Sequence, residues 1–156
     1  MLPHPHAGDP PSFRAYRLVW WLRVLLVVLG GVPIGLLATA AWLTPSLQGF
    51  GTHQQLGLPP CSLKSFVGIR CPSCGMTTSW SHMMHGQVLA SFAANSGGAL
   101  LALASAVGGP WAVISGLRGR WLGGTPNEWT FAGISVAIMV VTLIDWGVRL
   151  VLERGS

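Results

Sequence analysis

The longest part of this chain without a charged side chain runs from Cys71 to Leu117, 47 residues with no Asp, Glu, Lys or Arg. A helix needs about 20 apolar residues to cross a bilayer, so one membrane helix does not account for this segment. Over the whole chain, 51% of the residues are hydrophobic and 8% are charged, whereas soluble domains have about 25% charged residues. The sequence therefore predicts an integral membrane protein and excludes an ordinary soluble enzyme.

Three apolar segments predict an all-α fold with three transmembrane helices, at residues 24–43, 95–117 and 129–152. The first has 20 residues without a charge, enough for a hydrocarbon core of about 30 Å. Pro33 lies inside it and predicts a kink rather than a break. An alternative for this segment is a cleaved signal peptide, because arginines precede it and Ala38-Thr39-Ala40 fits the small-x-small cleavage pattern.

The segments between the spans differ in composition and predict four further parts of the chain. They are a polar, disordered N-terminal segment with an interfacial anchor (1–23), a cysteine-bearing loop (44–74), an amphipathic interfacial or re-entrant helix (75–94) and a polar turn (118–128). The anchor is expected from Trp20 and Trp21, which lie beside arginines. The amphipathic helix is expected from apolar side chains at helical spacing: Met76, Trp80, Met83, Met84, Val88 and Phe92.

The nine basic residues are spread along the chain and mostly flank apolar segments. This placement favours contact with lipid headgroups and predicts no nucleic-acid binding. The lipid bilayer is then the expected partner, and a membrane-protein partner or a homo-oligomer remains open. With three spans, five basic residues fall on the N-terminal side and four on the other. The count predicts a cytoplasmic N-terminus.

All three cysteines of the chain lie close together, at Cys61, Cys71 and Cys74. Cys71-Pro72-Ser73-Cys74-Gly75 precedes the amphipathic segment. Pro72 suits a first helical turn. A helix N-terminus lowers the pKa of a nearby thiol, so the motif predicts reactive or metal-binding thiolates.

Four interpretations of the cysteines remain open. The first is a structural disulfide from Cys61 to Cys71 or Cys74. The second is a zinc or iron site made of three thiolates, with His53 as the nearest candidate for a fourth ligand. The third is thiol–disulfide exchange, with Cys71 attacking and Cys74 resolving. The last is a tight turn in which the thiols act as small hydrophobic groups. The odd number leaves one thiol over in any scheme with one bridge.

Secondary candidates lie outside the cysteine motif. His82 and His85 share a helix face and can bind a metal or haem as a pair, or be ordinary interfacial histidines. His82 lies about 12 Å along a helix from Cys74, which disfavours a joint zinc site. Asp145 lies four residues before Arg149, which predicts a structural ion pair near the membrane edge, or a functional intramembrane acid. No catalytic constellation is present in the sequence.

The cysteine region resembles a small bacterial membrane family catalogued as domain of unknown function 2752. The resemblance rests on Cys61-x-x-Lys64, on Val67 to Thr77 with its C-P-S-C-G-M-T core, on Gly86 and on Asn95. It implies a bacterial inner-membrane protein with two or three spans, and it singles out the cysteines, Gly75, Thr77 and Asn95. This chain has Thr78 where the family has arginine, and Ser62 where the family has proline.

Together these observations predict a non-enzymatic membrane module whose three-cysteine loop is a disulfide-braced or metal-binding cap at the membrane surface. One alternative is a membrane thiol–disulfide oxidoreductase that uses Cys71 and Cys74. Another is a small transporter or channel subunit, suggested by Asp145 and the charge-free segment.

Overall fold

The computed structural model describes residues 18–123 and 127–154, apart from the side chains of residues 64, 65, 67, 153 and 154, and this part of the chain is helical with no strand. Its α-helices are α1 (Trp20–Trp42), α2 (Ser62–Val67), α3 (Met76–Met84), α4 (Val88–Ala94), α5 (Ser96–Arg118) and α6 (Glu128–Arg154), and a 3₁₀ helix (Thr52–Leu56) precedes α2. Helices α1, α5 and α6 are long enough and apolar enough to cross a membrane. The prediction of an all-α fold with three such helices is confirmed.

Helices α1 and α5 pack against each other with their backbones in close approach. A Cβ atom on Gly30 would lie 2.5 Å from the carbonyl oxygen of Gly109 and 2.9 Å from Cγ2 of Val113. At one end, Arg23 of α1 donates from Nε to the Gly116 carbonyl at 3.0 Å and from Nη2 to the Leu117 carbonyl at 2.9 Å. The start of α1 thus lies beside the end of α5, and the helices run antiparallel. Small residues at the contact are typical of membrane helix pairs.

The first span begins earlier than the sequence predicted. Helix α1 begins at Trp20, so the two tryptophans of the predicted anchor form its first turn, and they are exposed. Pro33 lies inside α1 without ending it. The predictions for residues 1–17 and for residues 124–126 of the polar turn fall outside the described residues.

The single helix predicted for residues 75–94 is two helices. Helix α3 ends at Met84, α4 begins at Val88, and Gly86 in the turn between them has φ +75°. The side chains that α3 buries are mainly polar: Thr78, Ser79 and Ser81 are fully buried, and Trp80 is 7% exposed. Apolar contacts of Trp80, Met76 and Met83 with α1 and α5 therefore explain only part of how α3 packs.

Hydroxyl groups connect α3 to its neighbours. Ser79 Oγ donates to the Asn95 carbonyl at 3.0 Å, and Ser91 Oγ of α4 donates to the Ser79 carbonyl at 2.8 Å. Ser81 Oγ donates to the Leu43 carbonyl, at the end of α1, at 2.6 Å. Because each hydroxyl has a partner, these polar side chains are buried without leaving an unsatisfied group.

Helix α6 packs against α5, and no residue is buried in the apolar part of α6 that is able to cross a membrane. The predicted pair of Asp145 and Arg149 is confirmed, with 3.0 Å between Oδ2 and Nε. Arg149 also donates from Nη1 to the Ala94 carbonyl at 2.7 Å, and Asp145 accepts from Ser96 Oγ at 3.2 Å. The pair thus joins α6 to the junction of α4 and α5, which is a structural role.

We expect Gly30→Ala to destabilise the α1–α5 pair, because its methyl group meets the Gly109 carbonyl and Val113. Overpacking of this kind costs about 1–3 kcal/mol. Gly31→Ala is the matched control, since a Cβ there has no neighbour within 4 Å. Thermal melting in detergent measures the difference. Equal melting temperatures for the two variants would contradict the close packing.

Candidate metal centre at the cysteine loop

The three cysteine side chains converge at one point. Cys71 Sγ lies 3.5 Å from Cys61 Sγ and 3.4 Å from Cys74 Sγ. All three sulfur atoms lie within 4.8 Å of one another, and the side chains are half-buried. Within residues 18–123 and 127–154, no other group of three or more His, Cys, Asp or Glu side chains has a spacing suited to a metal ion. The cysteines of the motif therefore form one cluster with Cys71 at its centre.

A tight turn brings Cys71 and Cys74 to the same side of the chain. The Cys74 amide donates to the Cys71 carbonyl at 3.0 Å, and the Met76 amide donates to the Ser73 carbonyl at 3.0 Å. Gly75, which ends the turn, has φ +87°, a conformation that glycine adopts without strain. A Cβ atom on Gly75 would also lie 2.6 Å from the carbonyl oxygens of Gly49 and Ala94. Glycine is thus required here by both conformation and space.

The cysteine turn lies before helix α3 and does not form its first turn. Helix α3 begins at Met76 with Gly75 as its N-cap, so Pro72 lies in the turn and the prediction of a first-turn proline is wrong. Burial, together with a hydrogen bond to Cys71, raises the pKa of the Cys74 thiol to about 12, and burial is the larger cause. The expected fall in thiol pKa is therefore wrong for Cys74, because desolvation outweighs the nearby helix end. Without a cation, Cys74 is a neutral thiol at pH 7.

Asn95 fixes the turn to the membrane-spanning part of the molecule. Its side chain is almost completely buried, and Nδ2 donates to the carbonyls of Pro72 and Cys74, each at 3.1 Å. Its Oδ1 accepts from the Gly98 amide at 2.6 Å, which caps the N-terminus of α5. One amide group thus bonds to the cysteine turn on one side and to α5 on the other.

The loop before the motif is held by polar contacts on its inner side. Thr52 Oγ1 of the 3₁₀ helix lies 2.8 Å from Thr78 Oγ1, and both side chains are fully buried. Thr78 is the position at which the resembling family has arginine, so this chain uses it for a short buried hydrogen bond. Farther along, Trp146 Nε1 of α6 donates to the Arg70 carbonyl at 2.7 Å. The residue just before Cys71 is therefore held by α6.

A cavity of about 570 Å³ adjoins the cysteine cluster. His53, Met76 and Thr77 line it together with the three cysteines. His53 Nε2 lies 3.2 Å from the Pro59 carbonyl, and His53 is not part of the group of ligand atoms within 4.8 Å. Its role as a fourth ligand remains a prediction. The Arg70 guanidinium lies 4.6 Å from the centre of the Phe50 ring, which also lines the cavity, so a positive charge is close to the site.

The two secondary histidines lie away from the cysteine cluster and have local partners. His82 Nδ1 lies 2.6 Å from Gln87 Oε1, and His85 Nδ1 lies 2.8 Å from the Ser81 carbonyl. Neither belongs to the group of cysteine ligands. The hydrogen bonds match the interpretation of these residues as ordinary interfacial histidines.

Comparison with known protein families supports the resemblance found in the sequence. Residues 61–109 match the family described as "Protein of unknown function (DUF2752)". The matched segment contains all three cysteines, Asn95, α3, α4 and the first half of α5. No curated protein and no solved structure matches the chain. The family match therefore covers the cysteine turn and its support, and it assigns no activity.

We expect Asn95→Asp to loosen the cysteine turn, because a carboxylate keeps the acceptor for Gly98 but loses both donors to the turn. Two buried carbonyls then have no partner, at a cost of about 1–3 kcal/mol each. The rate of maleimide labelling of the cysteines in the metal-free protein should rise. Asn127→Asp, at the exposed start of α6, makes the same chemical change and should label like the wild type. A labelling rate unchanged by Asn95→Asp would contradict this positioning role.

Proposed function

We propose that this chain is a multi-pass membrane protein whose cysteine loop binds one zinc ion through Cys61, Cys71 and Cys74. The observation that carries the proposal is the convergence of all three sulfur atoms. A single ion uses all three cysteines, whereas one disulfide uses two and leaves a third thiol over. The zinc ion fastens the loop to the start of α3, and through Asn95 to α5.

The sulfur distances support a mononuclear thiolate site. Zinc binds thiolates at about 2.3 Å in tetrahedral geometry, which places two thiolate sulfurs about 3.8 Å apart. The distances from Cys71 to its two neighbours, 3.5 and 3.4 Å, are close to that value. A disulfide requires about 2.05 Å and would draw the central sulfur toward one neighbour and away from the other. Tetrahedral sulfur ligation also suits iron, so direct metal analysis decides between the two.

The electrostatic surroundings are compatible with a thiolate-rich centre. Three thiolates and Zn²⁺ carry a net charge of −1, and the nearby guanidinium of Arg70 offsets it. The adjoining cavity leaves room for a fourth ligand, either His53 or a small molecule from solution. With no acid–base constellation in the sequence, we propose a structural or partner-binding role for the centre and no catalytic one.

The proposed location is a bacterial inner membrane, with the N-terminus in the cytoplasm and the cysteine loop on the opposite face. Arg23 bonds to the end of α5, so Arg23 and Arg118 lie at one end of the molecule. The cysteine loop lies at the other end, beside the C-terminal part of α6. Counted along the sequence, five basic residues belong to the N-terminal segment and the polar turn, and four belong to the cysteine loop and the C-terminal part of the chain. This count supports a cytoplasmic position for the N-terminal segment.

The purified full-length protein should contain about one zinc ion per chain by elemental mass spectrometry, and none after substitution of any one cysteine. Loss of an outer-shell partner costs about 10–100-fold in metal affinity, so loss of a thiolate ligand in Cys61→Ser, Cys71→Ser or Cys74→Ser should cost more. Ser73→Ala is the matched control. Its hydroxyl lies 3.3 Å from Cys71 Sγ, yet it belongs to no ligand group, so zinc should be retained.

Thiol counting on the same samples separates the alternatives. Metal-free protein with one pair protected until reductant is added would contradict the zinc site and favour the disulfide brace. A mixed disulfide trapped through Cys71 in Cys74→Ser would instead favour the oxidoreductase. Iron bound in place of zinc would support the same three cysteine ligands and would correct the identity of the metal.

His53→Ala should lower the affinity for zinc if the imidazole of His53 is the fourth ligand.

A reporter fused to the C-terminus tests the orientation. Three spans place the two termini on opposite faces, so alkaline phosphatase at the C-terminus should be active in a bacterial host, because it folds only in the oxidising compartment. The same fusion at the N-terminus should be inactive. The reverse pattern would place the cysteine loop in the cytoplasm and contradict the proposed orientation.

A further inference from the structure

A groove of about 380 Å³ lies between the start of α1 and the end of α5, at the end of the molecule opposite the cysteine loop. Its α1 side is a single stripe of the helix, whose members are spaced by three and four residues: Trp20, Arg23, Val24, Val27 and Val28. From Trp20 to Val28 the stripe is about 12 Å long. The groove therefore has one cationic residue near the start of α1 and an apolar floor farther along the helix.

The guanidinium of Arg23 is held in place at the cationic end of the groove. Its Nε donates to the Gly116 carbonyl and its Nη2 to the Leu117 carbonyl. Gly119 leaves room for it, because a Cβ atom there would lie 3.2 Å from Arg23 Cζ. A long side chain that is already fixed loses little further conformational entropy when it binds a ligand.

The remaining edge of this guanidinium is available to a ligand. The two carbonyls leave Nη1 and the second N–H of Nη2 without an acceptor among the described residues. These two nitrogens form the end of a planar fork, a geometry that binds two oxygen atoms of one phosphate group. Arg23 is exposed, and within residues 18–123 and 127–154 no carboxylate forms an ion pair with it. Its charge is therefore accessible to an anion from outside the chain.

The depth of the groove indicates which anion it meets. Helix α1 has 23 residues and is thus about 35 Å long, compared with about 30 Å of hydrocarbon in a bilayer. Its first turn, which ends at Arg23, then lies among the phosphate groups of the lipids. Val27 and Val28 lie about one turn deeper, beside the acyl chains, and Val28 is 52% exposed. The groove thus offers a phosphate contact and an apolar surface in the order in which a phospholipid presents its phosphate and its chain.

From these observations, we infer that the groove binds an anionic phospholipid, whose phosphate accepts hydrogen bonds from Arg23 and whose acyl chain lies along Val24, Val27 and Val28. A headgroup of net negative charge, as in phosphatidylglycerol, is favoured over a zwitterionic one, because the ammonium group of a zwitterion offsets the charge of its phosphate. Trp20, which is 76% exposed, lies beside the headgroup. This lipid site does not depend on a metal at the cysteines.

Matched lipids and matched arginine variants test the charge. Delipidated full-length protein in a non-ionic detergent is titrated with phosphatidylglycerol, and separately with phosphatidylcholine of the same chain lengths, and bound lipid is measured by native mass spectrometry. The wild type should bind phosphatidylglycerol about fivefold more tightly. Arg23→Gln should remove this preference. Arg120→Gln is the matched control, because Arg120 is exposed and does not line the groove, so the preference should be retained.

Filling the groove tests the position of the chain. Val28→Trp places a large ring system in the apolar part of the groove and should abolish saturable binding of phosphatidylglycerol. Leu29→Trp is the matched control, since Leu29 is exposed on the same helix turn and does not line the groove, so it should bind like the wild type. Both variants keep Arg23, so this pair tests the site even if Arg23→Gln weakens the contact between α1 and α5.

Any of four results would overturn the inference: no preference for phosphatidylglycerol in the wild type, a preference that persists in Arg23→Gln, an equal loss in Arg120→Gln, or equal binding by Val28→Trp and Leu29→Trp. Zinc content is measured on the same samples and should be the same in all of them. A failure of lipid binding with zinc retained is thereby separate from a failure of the metal site.

Discussion

The amide side chain of Asn95 is the contact through which the cysteine turn and the membrane-spanning helices become one structure. It is buried, and both ends of the amide are hydrogen-bonded to backbone groups. Water does not reach this buried position, so backbone groups that leave a helix need partners within the protein. Asn95 supplies them for the Pro72 and Cys74 carbonyls and for the first turn of α5 at once. An aspartate, a leucine or a serine in its place lacks either the donors or the reach.

The same constraint explains why serine and threonine, and few large apolar groups, are buried beside the cysteine loop. The apolar cluster around Trp80 is small, with Leu37, Ala40 and Ala102 as its other buried members. The helices α3 and α4 are instead joined by the hydroxyls of Ser79 and Ser91, each with a partner within 3.0 Å. Lipid gives little hydrophobic gain for packing helices together, so satisfied hydrogen bonds and close contact provide the specificity.

Features that depend on one segment alone could be predicted from the sequence. The three spans follow from the length of apolar runs, and the ion pair of Asp145 and Arg149 follows from a spacing of four. The break at Gly86 and the bonds of Asn95 to residues more than twenty positions earlier were not predicted. They depend on tertiary contacts that leave no periodic pattern. The helical spacing of Met84 and Val88 predicted an apolar face on an interfacial helix, and both side chains are more than 40% exposed on the protein surface.

The short distance in sequence between the cysteine turn and α3 couples the cysteine cavity to a smaller, mainly apolar cavity between α1, the 3₁₀ helix and α3. Met76 and Thr77 form the first turn of α3, directly after Gly75, and they line both cavities. Gly75 lies close to the carbonyl oxygens of Gly49 and Ala94, with no space for a side chain, so the backbone that joins the turn to α3 is tightly packed. In the proposed zinc site, closing three thiolates around the ion would also set the position of the wall behind which Trp80 lies. The proposed metal site, although it lies in the loop, would thus help to define the shape of the surface that the protein presents to lipid.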